Sequence, residues 1–424
     1  MRSYKESDRI LLETEKIIPL GSQTFSKSHF SLPKGAAPLF LSKGDGAIVW
    51  DVDGNDYIDL VNGLLSVSLG YNDEDVNKAI VEQLANGITL SLPHRLEKEV
   101  ADLLVDLIPC AEMVRFGKNG SDVTTAAIRL ARAHTGKEHV AVCGYHGWQD
   151  WYIGSTSRNL GVPEAVQELT HTFKYNDIAS LEAIFKHFPG IAAVILEPMS
   201  IVEPEDNFLN NIRKLCDQNG TILIFDEMIT GFRLDIGGAQ ALFGVTPDLA
   251  TFGKGMANGM PISAIVGKKF IMKKMEDIFF SGTFGGETLS LAAAKATILK
   301  IKENDVISNL YKVGRYLNDG IEEVIKKLGV TWLSLMGHCT WKIISVDAGD
   351  DTVLYKSLLI QNLIEHGVLL TGSHNISYSF TYEEADKVIN SYEDSLKTIK
   401  KGEESGDLSL LLKGELIKPV FKVR

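Results

Sequence analysis

Short, almost uniformly apolar runs that alternate with helical stretches are the feature that most constrains this chain. The clearest runs are Val140–Cys143, Ile191–Leu196 and Thr221–Phe225. A strand that is covered on both faces has no need of polar residues, so these runs predict buried parallel strands joined by helices. One such helix is predicted from Ser121 to His134. We therefore expect an α/β fold in which ligands collect at the carboxyl ends of the strands.

The segments on either side of this region have different patterns. The first forty residues are polar and interrupted by prolines, which predicts an arm that needs a surface to pack on. Two β-rich runs around a glycine-containing turn, Ala47–Asp51 and Tyr57–Leu60, predict a hairpin. Helices and shorter strands follow residue 315 and end in a helix predicted from Tyr382 to Lys400. The predicted organisation is an arm and hairpin over 1–60, a large domain over 61–315 and a small α+β domain over 316–424.

Composition excludes several classes of function. The 424 residues carry a formal net charge of -12 without a dense basic run, so we expect no nucleic-acid partner. No window approaches the roughly 20 apolar residues of a membrane span, and the N-terminus lacks the apolar core of a secretory signal. The four cysteines are scattered, which predicts neither disulfides nor a metal site. These features predict a cytoplasmic protein.

Two residues that follow apolar runs indicate the chemistry. Asp226 follows Thr221–Phe225, and Lys254 lies between two glycines after the run Leu249–Phe252. Taken separately, Asp226 is equally a structural acid, and Lys254 is an exposed lysine in a glycine-rich turn. Together they supply what pyridoxal phosphate needs, a lysine for its aldehyde and a carboxylate that keeps its pyridine nitrogen protonated. Burial would lower the pKa of the Lys254 amine and make it a competent nucleophile.

A phosphate site and a ring contact are predicted at the same sheet edge. Gly120 and Ser121 fall at the start of a predicted helix, where free backbone N–H groups and the helix dipole favour an anion. Ser121 is equally suited to be the helix N-cap. Tyr145 follows the run Val140–Cys143, so its ring could stack on a planar cofactor, and the alternative is a core aromatic residue.

The chemistry-bearing motifs occur in a fixed order. They are Asn119-Gly120-Ser121, Tyr145-His146-Gly147, Glu197-Pro198, Asp226-Glu227-Met228, Lys254 and Gly282-Thr283. This order resembles the class III aminotransferases of the fold-type I pyridoxal-phosphate enzymes, and is similar to glutamate-1-semialdehyde 2,1-aminomutase and its aminotransferase relatives. The likeness extends from about Ile18 into the C-terminal region. It implies a large domain with a mostly parallel seven-stranded sheet between helices, and a small α+β domain formed by the N-terminal arm and the C-terminal segment.

The resemblance implies roles for the residues around the cofactor ring. Lys254 would form the Schiff base and then shuttle a proton, while Asp226 would pair with the pyridine nitrogen. Tyr145 would stack on one face of the ring. Met228 would lie against the other face, where the family usually has a valine.

The resemblance also implies how the phosphate is held. Gly120 and Ser121 would bind it within one subunit. Thr283 would reach the phosphate of the neighbouring subunit, which implies an obligate homodimer with shared active sites.

Departures from the mutase pattern affect the expected substrate. Lys27 stands where the mutase has an arginine for the substrate carboxylate, so the preference could relax toward phosphate, although Lys27 is equally an exposed arm lysine. Glu197 is assigned with Lys27 to substrate binding. The stretch Thr371–Ser377, which matches the region of the mutase's gating glutamate, contains no acid. Gly282-Thr283 is followed by Phe284 rather than the usual Asn-Pro.

These departures favour an intermolecular aminotransferase over a mutase. The expected donor is an amino acid, glutamate, and the expected acceptor is a small aldehyde or ketone, with dihydroxyacetone phosphate as a phosphorylated example. Such enzymes resemble those of amino-sugar, surface-polysaccharide or secondary-metabolite biosynthesis. The alternatives are glutamate-1-semialdehyde 2,1-aminomutase and a non-catalytic regulatory protein that binds pyridoxal phosphate. Decarboxylation and racemisation use the same scaffold and stay open.

Overall fold

The computed structural model describes residues 2–406 and 408–418. Within them the chain forms two compact units. The central unit is Glu74–Ile307, and the terminal unit combines the chain up to Asp73 with the chain from Ser308 onward. The sequence predicts domain boundaries at residues 60 and 315, whereas these two units divide after Asp73 and after Ile307.

The described residues contain the following strands and helices, numbered in chain order. The strands are β1 (Leu41–Asp45), β2 (Ile48–Asp51), β3 (Asp56–Asp59), β4 (Met113–Gly117), β5 (His139–Cys143), β6 (Thr170–Thr172), β7 (Ile191–Leu196), β8 (Ile222–Asp226), β9 (Leu249–Phe252), β10 (Ser263–Gly267), β11 (Leu333–His338), β12 (Trp341–Val346), β13 (Val368–Leu369) and β14 (Ser373–Asn375). The helices are α1 (Lys5–Thr14), α2 (Asn62–Leu65), α3 (Glu74–Leu84), α4 (Arg95–Leu107), α5 (Gly120–Thr135), α6 (Asp150–Ile153), α7 (Glu164–Gln167), α8 (Ile178–His187), α9 (Phe208–Asn219), α10 (Ala239–Phe243), α11 (Lys269–Met272), α12 (Thr288–Glu303), α13 (Val306–Leu328), α14 (Thr352–Glu365) and α15 (Tyr382–Ser405).

One seven-stranded sheet forms the middle of the central unit. Its strand order is β4-β10-β9-β8-β7-β5-β6. Strand β10 runs antiparallel to both of its neighbours, whereas the other pairs are parallel. The three apolar runs that predicted buried strands correspond to β5, β7 and β8, and every residue of β7 and β8 is buried. The predicted α/β fold with a mostly parallel seven-stranded sheet is confirmed.

Helix α5 covers the sheet because strands that are apolar on both faces need apolar partners. Its residues Val123, Ala127 and Leu130 join a core cluster that also contains side chains of β5, β7 and β8. The helix ends at Gly136, whose φ of 68° lies in the left-handed region that glycine adopts without strain. The burial of α5 against the sheet fixes the position of its N-terminus, where the phosphate site is predicted.

The terminal unit contains two smaller sheets, β1-β2-β3-β13 and β11-β12-β14. Strands β2 and β3 form the predicted hairpin, with Val49 opposite Tyr57. Strand β13 pairs in parallel with β3, placing Val368 opposite Ile58. The N-terminal and C-terminal segments of the chain therefore share one sheet.

The N-terminal arm packs on its own unit. Tyr4 joins a core cluster with Val49 and Tyr57. The carboxylate of Asp53 accepts hydrogen bonds of 2.9 Å from the backbone amides of Glu6 and Ser7. This part of the arm therefore packs on the hairpin of the same chain. The hairpin is the surface that the sequence predicted the arm to need.

The long helices have the pattern of helices at a protein surface. Helices α13 and α15 contain 23 and 24 residues and mix charged with apolar positions. Among the described helices, none combines the length and the apolar character needed to cross a membrane.

Candidate active site

The carboxyl ends of four neighbouring strands meet at one edge of the central sheet. Cys143 at the end of β5 pairs with Leu196 at the end of β7, which in turn pairs with Phe225 of β8. Strand β9 follows in register beside β8. The predicted site residues at or just after these ends are Tyr145, Glu197, Asp226 and Lys254. The parallel sheet thus brings together residues that are far apart in sequence.

Asp226 is the last residue of β8, and its side chain is held on both oxygens. Its Oδ2 lies 2.8 Å from Nδ1 of His146. Its Oδ1 accepts hydrogen bonds from the amide of Met228 and the hydroxyl of Thr251, each 3.2 Å long. With 3% of its surface exposed, the carboxylate depends on these partners instead of water. Its orientation at the sheet edge is therefore fixed.

His146 connects Asp226 to the end of β5. Its Nε2 lies 3.1 Å from the carbonyl oxygen of Cys143, while its Nδ1 faces Asp226. Both ring nitrogens therefore face oxygen atoms, and the ring links the end of β5 to the Asp226 carboxylate. The ring is buried, and within the described residues its nitrogens make these two hydrogen-bonding contacts.

Lys254 begins a 3-10 turn, Lys254–Ala257, directly after Gly253. Its backbone has a φ of 44°, a left-handed conformation that costs a residue with a side chain about 1 kcal/mol. Burial lowers the pKa of its amine, while the charges of Glu197 and Asp226 oppose that shift. The surroundings are those of a partly desolvated amine rather than of an exposed turn lysine.

Glu197 is the first residue after β7. Its Oε2 accepts a hydrogen bond of 3.4 Å from the amide of Tyr145. Burial raises the pKa of its carboxyl to about 7, against the opposing influence of His146 and Lys254. This pKa lies near neutral pH, and the charges of Glu197 and Lys254 each influence the pKa of the other group.

The start of α5 differs in one respect from the sequence prediction. Asn119 is the N-cap, because its side chain accepts a hydrogen bond from the amide of Asp122 at 3.3 Å, and Asp122 completes a capping box. The alternative that Ser121 caps the helix is wrong. Ser121 lies within the first turn after Gly120, and its hydroxyl accepts a hydrogen bond from the amide of Trp148 at 3.2 Å.

The two predicted ring contacts lie in different surroundings. Tyr145 is 49% exposed and meets Tyr152 edge-on at 5.7 Å, so it is not a core aromatic residue. The side chain of Met228 packs against Gly120 and Gly253. A Cβ atom added to these glycines would lie 3.1 and 2.8 Å from the Met228 sulfur. Because neither glycine has a side chain, Met228 can pack directly against the backbone of both residues.

Two predicted residues lie outside the strand ends that carry this cluster. Thr283 is exposed in a segment with Phe279 and Phe284, whose side chains are 82% and 58% exposed. Lys27 is exposed at the end of a short 3-10 turn in the terminal unit.

Three residues at the site have no role that their sequence motifs predicted. His146 and Thr251 hold Asp226, and the buried Arg233 contributes to lowering the pKa of Lys254. For His146 and Thr251 the sequence offered one signal. His146 follows β5 and Thr251 lies near the carboxyl end of β9, and these two strands end at the same sheet edge as Asp226. Nothing in the local sequence of Arg233 distinguishes it from a surface arginine.

These residues fit pyridoxal phosphate. A buried, doubly held carboxylate suits a protonated pyridine nitrogen, and a desolvated amine suits an aldehyde. The first turn of α5 offers backbone N–H groups to a phosphate at Gly120 and Ser121. The half-exposed ring of Tyr145 lies at the same edge.

The fold and this site define a fold-type I enzyme that depends on pyridoxal phosphate. The family model "Aminotransferase class-III" matches residues 31–396, and the chain belongs to this family of aminotransferases. The predicted family, enzyme class and cofactor are confirmed.

Relatives and solved structures agree with this assignment. The chain is 36% identical to a 3-aminobutyryl-CoA aminotransferase of Cloacimonas acidaminovorans over 407 residues, covering 92% of this chain and 96% of the relative. It is also 36% identical to a glutamate-1-semialdehyde 2,1-aminomutase of Lachnoclostridium phytofermentans, over 76% of this chain and 80% of that protein. The FumI protein of Sphingopyxis sp. MTA144, solved in its PLP internal aldimine form, is 27% identical. It superposes with a TM-score of 0.88 over 96% of this chain and 100% of its own.

Proposed function

We propose that this aminotransferase moves an amino group between two separate substrates, from glutamate to a small aldehyde or ketone. The observation that carries the proposal is the segment Thr371–Ser377, which contains no acid where the resemblance places the mutase's gating glutamate. Its centre is strand β14, in which His374 and Asn375 are buried. A mutase has to retain its intermediate until the second amino transfer, and this segment offers no carboxylate to gate that retention.

Each residue of the site has a distinct task in this proposal. The cofactor supplies an electron sink for the substrate carbon when it is bound. Asp226, oriented by His146 and Thr251, holds a proton on the pyridine nitrogen. The Nζ atom of Lys254 would take the proton from the substrate Cα and deliver it to C4′ of the cofactor, two atoms away. Tyr145 and Met228 support the ring, and Gly120 with Ser121 holds the phosphate.

A homodimer with shared sites is part of the proposal. Apolar side chains are exposed in two segments of the central unit that are joined by a hydrogen bond of 3.0 Å from the amide of Thr288 to the carbonyl of Ile88. These exposed residues are Ile88, Leu90, Leu92, Phe279 and Phe284. Apolar exposure of this kind favours association with another protein surface. Thr283 lies within the second segment, so a partner copy seated there would meet it.

The acceptor and the setting follow from weaker indications. Lys27 would favour an acceptor with an anionic group, such as dihydroxyacetone phosphate. We place the reaction in amino-sugar, surface-polysaccharide or secondary-metabolite biosynthesis in the cytoplasm. In support of a reducing compartment, Cys110, Cys143 and Cys216 are buried free thiols.

A second candidate donor is a β-amino acyl thioester. The specific observation in its favour is the identity of 36% with the 3-aminobutyryl-CoA aminotransferase, which covers nearly all of both chains. This candidate changes the donor but leaves the roles of Lys254 and Asp226 unchanged.

The test is an absorption spectrum of the purified protein before and after each donor is added. We expect glutamate to bleach the yellow form of the wild type, and the acceptor to restore it. Lys254→Ala should slow the half-reaction by at least about 10²-fold, because it removes the group that moves the proton. The donors to compare are glutamate, 3-aminobutyryl-CoA and glutamate-1-semialdehyde. Bleaching by the thioester alone would support the second candidate. Conversion of the semialdehyde without a second substrate would establish the mutase.

A yellow protein that no amino donor bleaches would instead support the regulatory protein.

A further inference from the structure

A cavity of about 640 Å³ lies within the terminal unit, formed by residues that the reaction described above does not use. Its polar lining consists of two lysines and four hydroxyl residues: Lys356, Lys418, Ser26, Ser31, Thr352 and Thr371. The other described residues that line it are aliphatic, and none of them is a carboxylate. The lining is therefore cationic on a chain whose formal net charge is -12.

Lys356 is the central cation of this cavity. It lies in the second turn of α14 and is partly buried. Burial lowers the pKa of its ammonium group, with no charged neighbour among the causes. Within the described residues, no carboxylate forms an ion pair with it, and it donates no hydrogen bond. A desolvated ammonium without a partner is stabilised by an anion that enters beside it.

Hydroxyl donors are also available around the cavity. Within the part of the chain that the structure describes, the side-chain hydroxyls of Ser26, Ser31 and Thr371 form no hydrogen bonds. The hydroxyl of Thr352 differs, because it accepts from the amide of Ala348 and donates to the carbonyl of Gly349. These three hydroxyls therefore have donors that no acceptor among the described residues uses, and they lie near two lysines.

The start of α14 adds to this preference for an anion. The helix has 14 residues and begins at Thr352, which lines the cavity. Its N-cap residue, Asp351, makes no side-chain capping hydrogen bond. The amide of Thr352 donates to the carbonyl of Gly349, but the N-cap side chain satisfies none of the first-turn amides, and the helix dipole favours negative charge there.

We propose that this cavity binds the phosphate group of a small molecule. Two ammonium groups match a charge of nearly two, and hydroxyl and amide donors suit the several oxygens of a phosphate better than the two oxygens of a carboxylate. Lys418, whose ammonium lies 5.2 Å from the centre of the Phe30 ring, supplies the second cation from the C-terminal segment. The inference rests on the lining of the cavity and not on the proposed function, since Lys27, which the proposed function assigns to an anionic acceptor, is not among the residues that line the cavity.

The test is isothermal titration of the full chain, loaded with pyridoxal phosphate, with inorganic phosphate and with glycerol 3-phosphate. Loading fills the cofactor's own phosphate site, and a parallel titration of Lys27→Met separates the cavity from the anionic-acceptor site of the proposed function, because this variant should keep the affinity of the wild type. We expect one phosphate per chain and a dissociation constant about tenfold weaker in Lys356→Met, which loses a charged hydrogen bond. The matched control is Lys326→Met, because Lys326 is an exposed lysine of α13 that does not line the cavity.

Thr371→Val keeps the side-chain shape and removes one hydrogen-bond donor. It therefore allows a second measurement of phosphate binding if Lys356→Met does not fold. It should weaken phosphate binding while the far-ultraviolet circular dichroism stays that of the wild type. Tighter binding of glycerol 3-phosphate would assign the site to a phosphate monoester, and equal or weaker binding would assign it to free phosphate. The proposal is overturned if the wild type binds neither probe, or if both lysine variants lose affinity equally.

Discussion

At the scale of single residues, Asp226 shows how surroundings select a function for a common side chain. A carboxylate at the end of a buried strand is often structural, but this one is held on both oxygens at the edge where Lys254 lies. Such a fixed charge can act on a bound group without first reorganising. The value of the residue therefore lies in its orientation as much as in its charge.

We predict that Asp226→Asn lowers kcat by about 10³-fold, because a neutral amide cannot stabilise a proton on the pyridine nitrogen. The measurement is the single-turnover rate with saturating glutamate. Asp248→Asn is the matched control, since Asp248 pairs with Arg213 at 2.9 Å before the amino end of β9. The control should lose stability while its rate stays that of the wild type. Equal loss of rate in both variants would contradict the assigned role.

Glu197 gives the second prediction, which concerns stability. Burial raises the pKa of its carboxyl from 4.5 to about 7, so the folded protein binds this proton more tightly than the unfolded chain. The resulting stabilisation is complete below pH 4.5 and is lost as the pH rises through 7. We expect Glu197→Gln to match the wild type near pH 4.5 and to be more stable by about 1–2 kcal/mol at pH 8.

Urea unfolding of the cofactor-free protein at several pH values measures this difference. Glu164→Gln is the control, because Glu164 is an exposed glutamate of α7. A difference between Glu197→Gln and the wild type that does not change with pH would show that no proton is bound more tightly on folding.

At the scale of elements, the loop after β5 and the start of α5 are packed too closely for a side chain at Gly147. This residue has a φ of 108°, and an added Cβ atom would lie 2.3 Å from the hydroxyl of Ser121. We predict that Gly147→Ala destabilises the fold by about 1–3 kcal/mol and weakens binding of pyridoxal phosphate, because Ser121 has to move.

Thermal unfolding and equilibrium dialysis of the cofactor measure the two effects. Gly136→Ala is the control, because its φ of 68° is also positive but an added Cβ atom would meet nothing within 4 Å. It should lose stability without losing cofactor affinity. If Gly147→Ala binds the cofactor as tightly as Gly136→Ala does, Ser121 does not hold the phosphate.

At the scale of the whole molecule, the proposed shared sites make a quantitative prediction. Lys254→Ala and Thr283→Glu should each be inactive alone, because one lacks the amine and the other places a charge beside the neighbouring phosphate. When the two are mixed and refolded, each mixed dimer has one intact site. Activity should therefore return to roughly a quarter of the wild-type value. Two variants that stay inactive when mixed, in a protein that remains monomeric by light scattering, would contradict shared sites.

Much of the fold could be predicted from the chain because its signals are local. Uniform apolar runs identified β5, β7 and β8, and the N-terminal hairpin followed from its turn residues. The antiparallel direction of β10 had no such signal, because strand direction depends on pairing with β4 and β9, which are distant in sequence. The helix N-cap was misplaced for a related reason. Asn119 and Ser121 are both good caps, and the reciprocal hydrogen bonds between Asn119 and Asp122 decided between them.

The sequence by itself determined which residues could carry the chemistry, because Lys254, Asp226 and the motifs between Asn119 and Thr283 are recognisable by type and order. Only the tertiary structure decided which groups control them. Thr251 reaches Asp226 from the neighbouring strand β9, His146 reaches it from the loop after β5, two strands away, and Arg233 acts on Lys254 through its charge. The cationic cavity around Lys356 likewise joins the N-terminal segment to residues beyond 340. Hydrogen bonds, desolvation and charge act through space over a few ångströms, and a chain brings such distances about only when it folds.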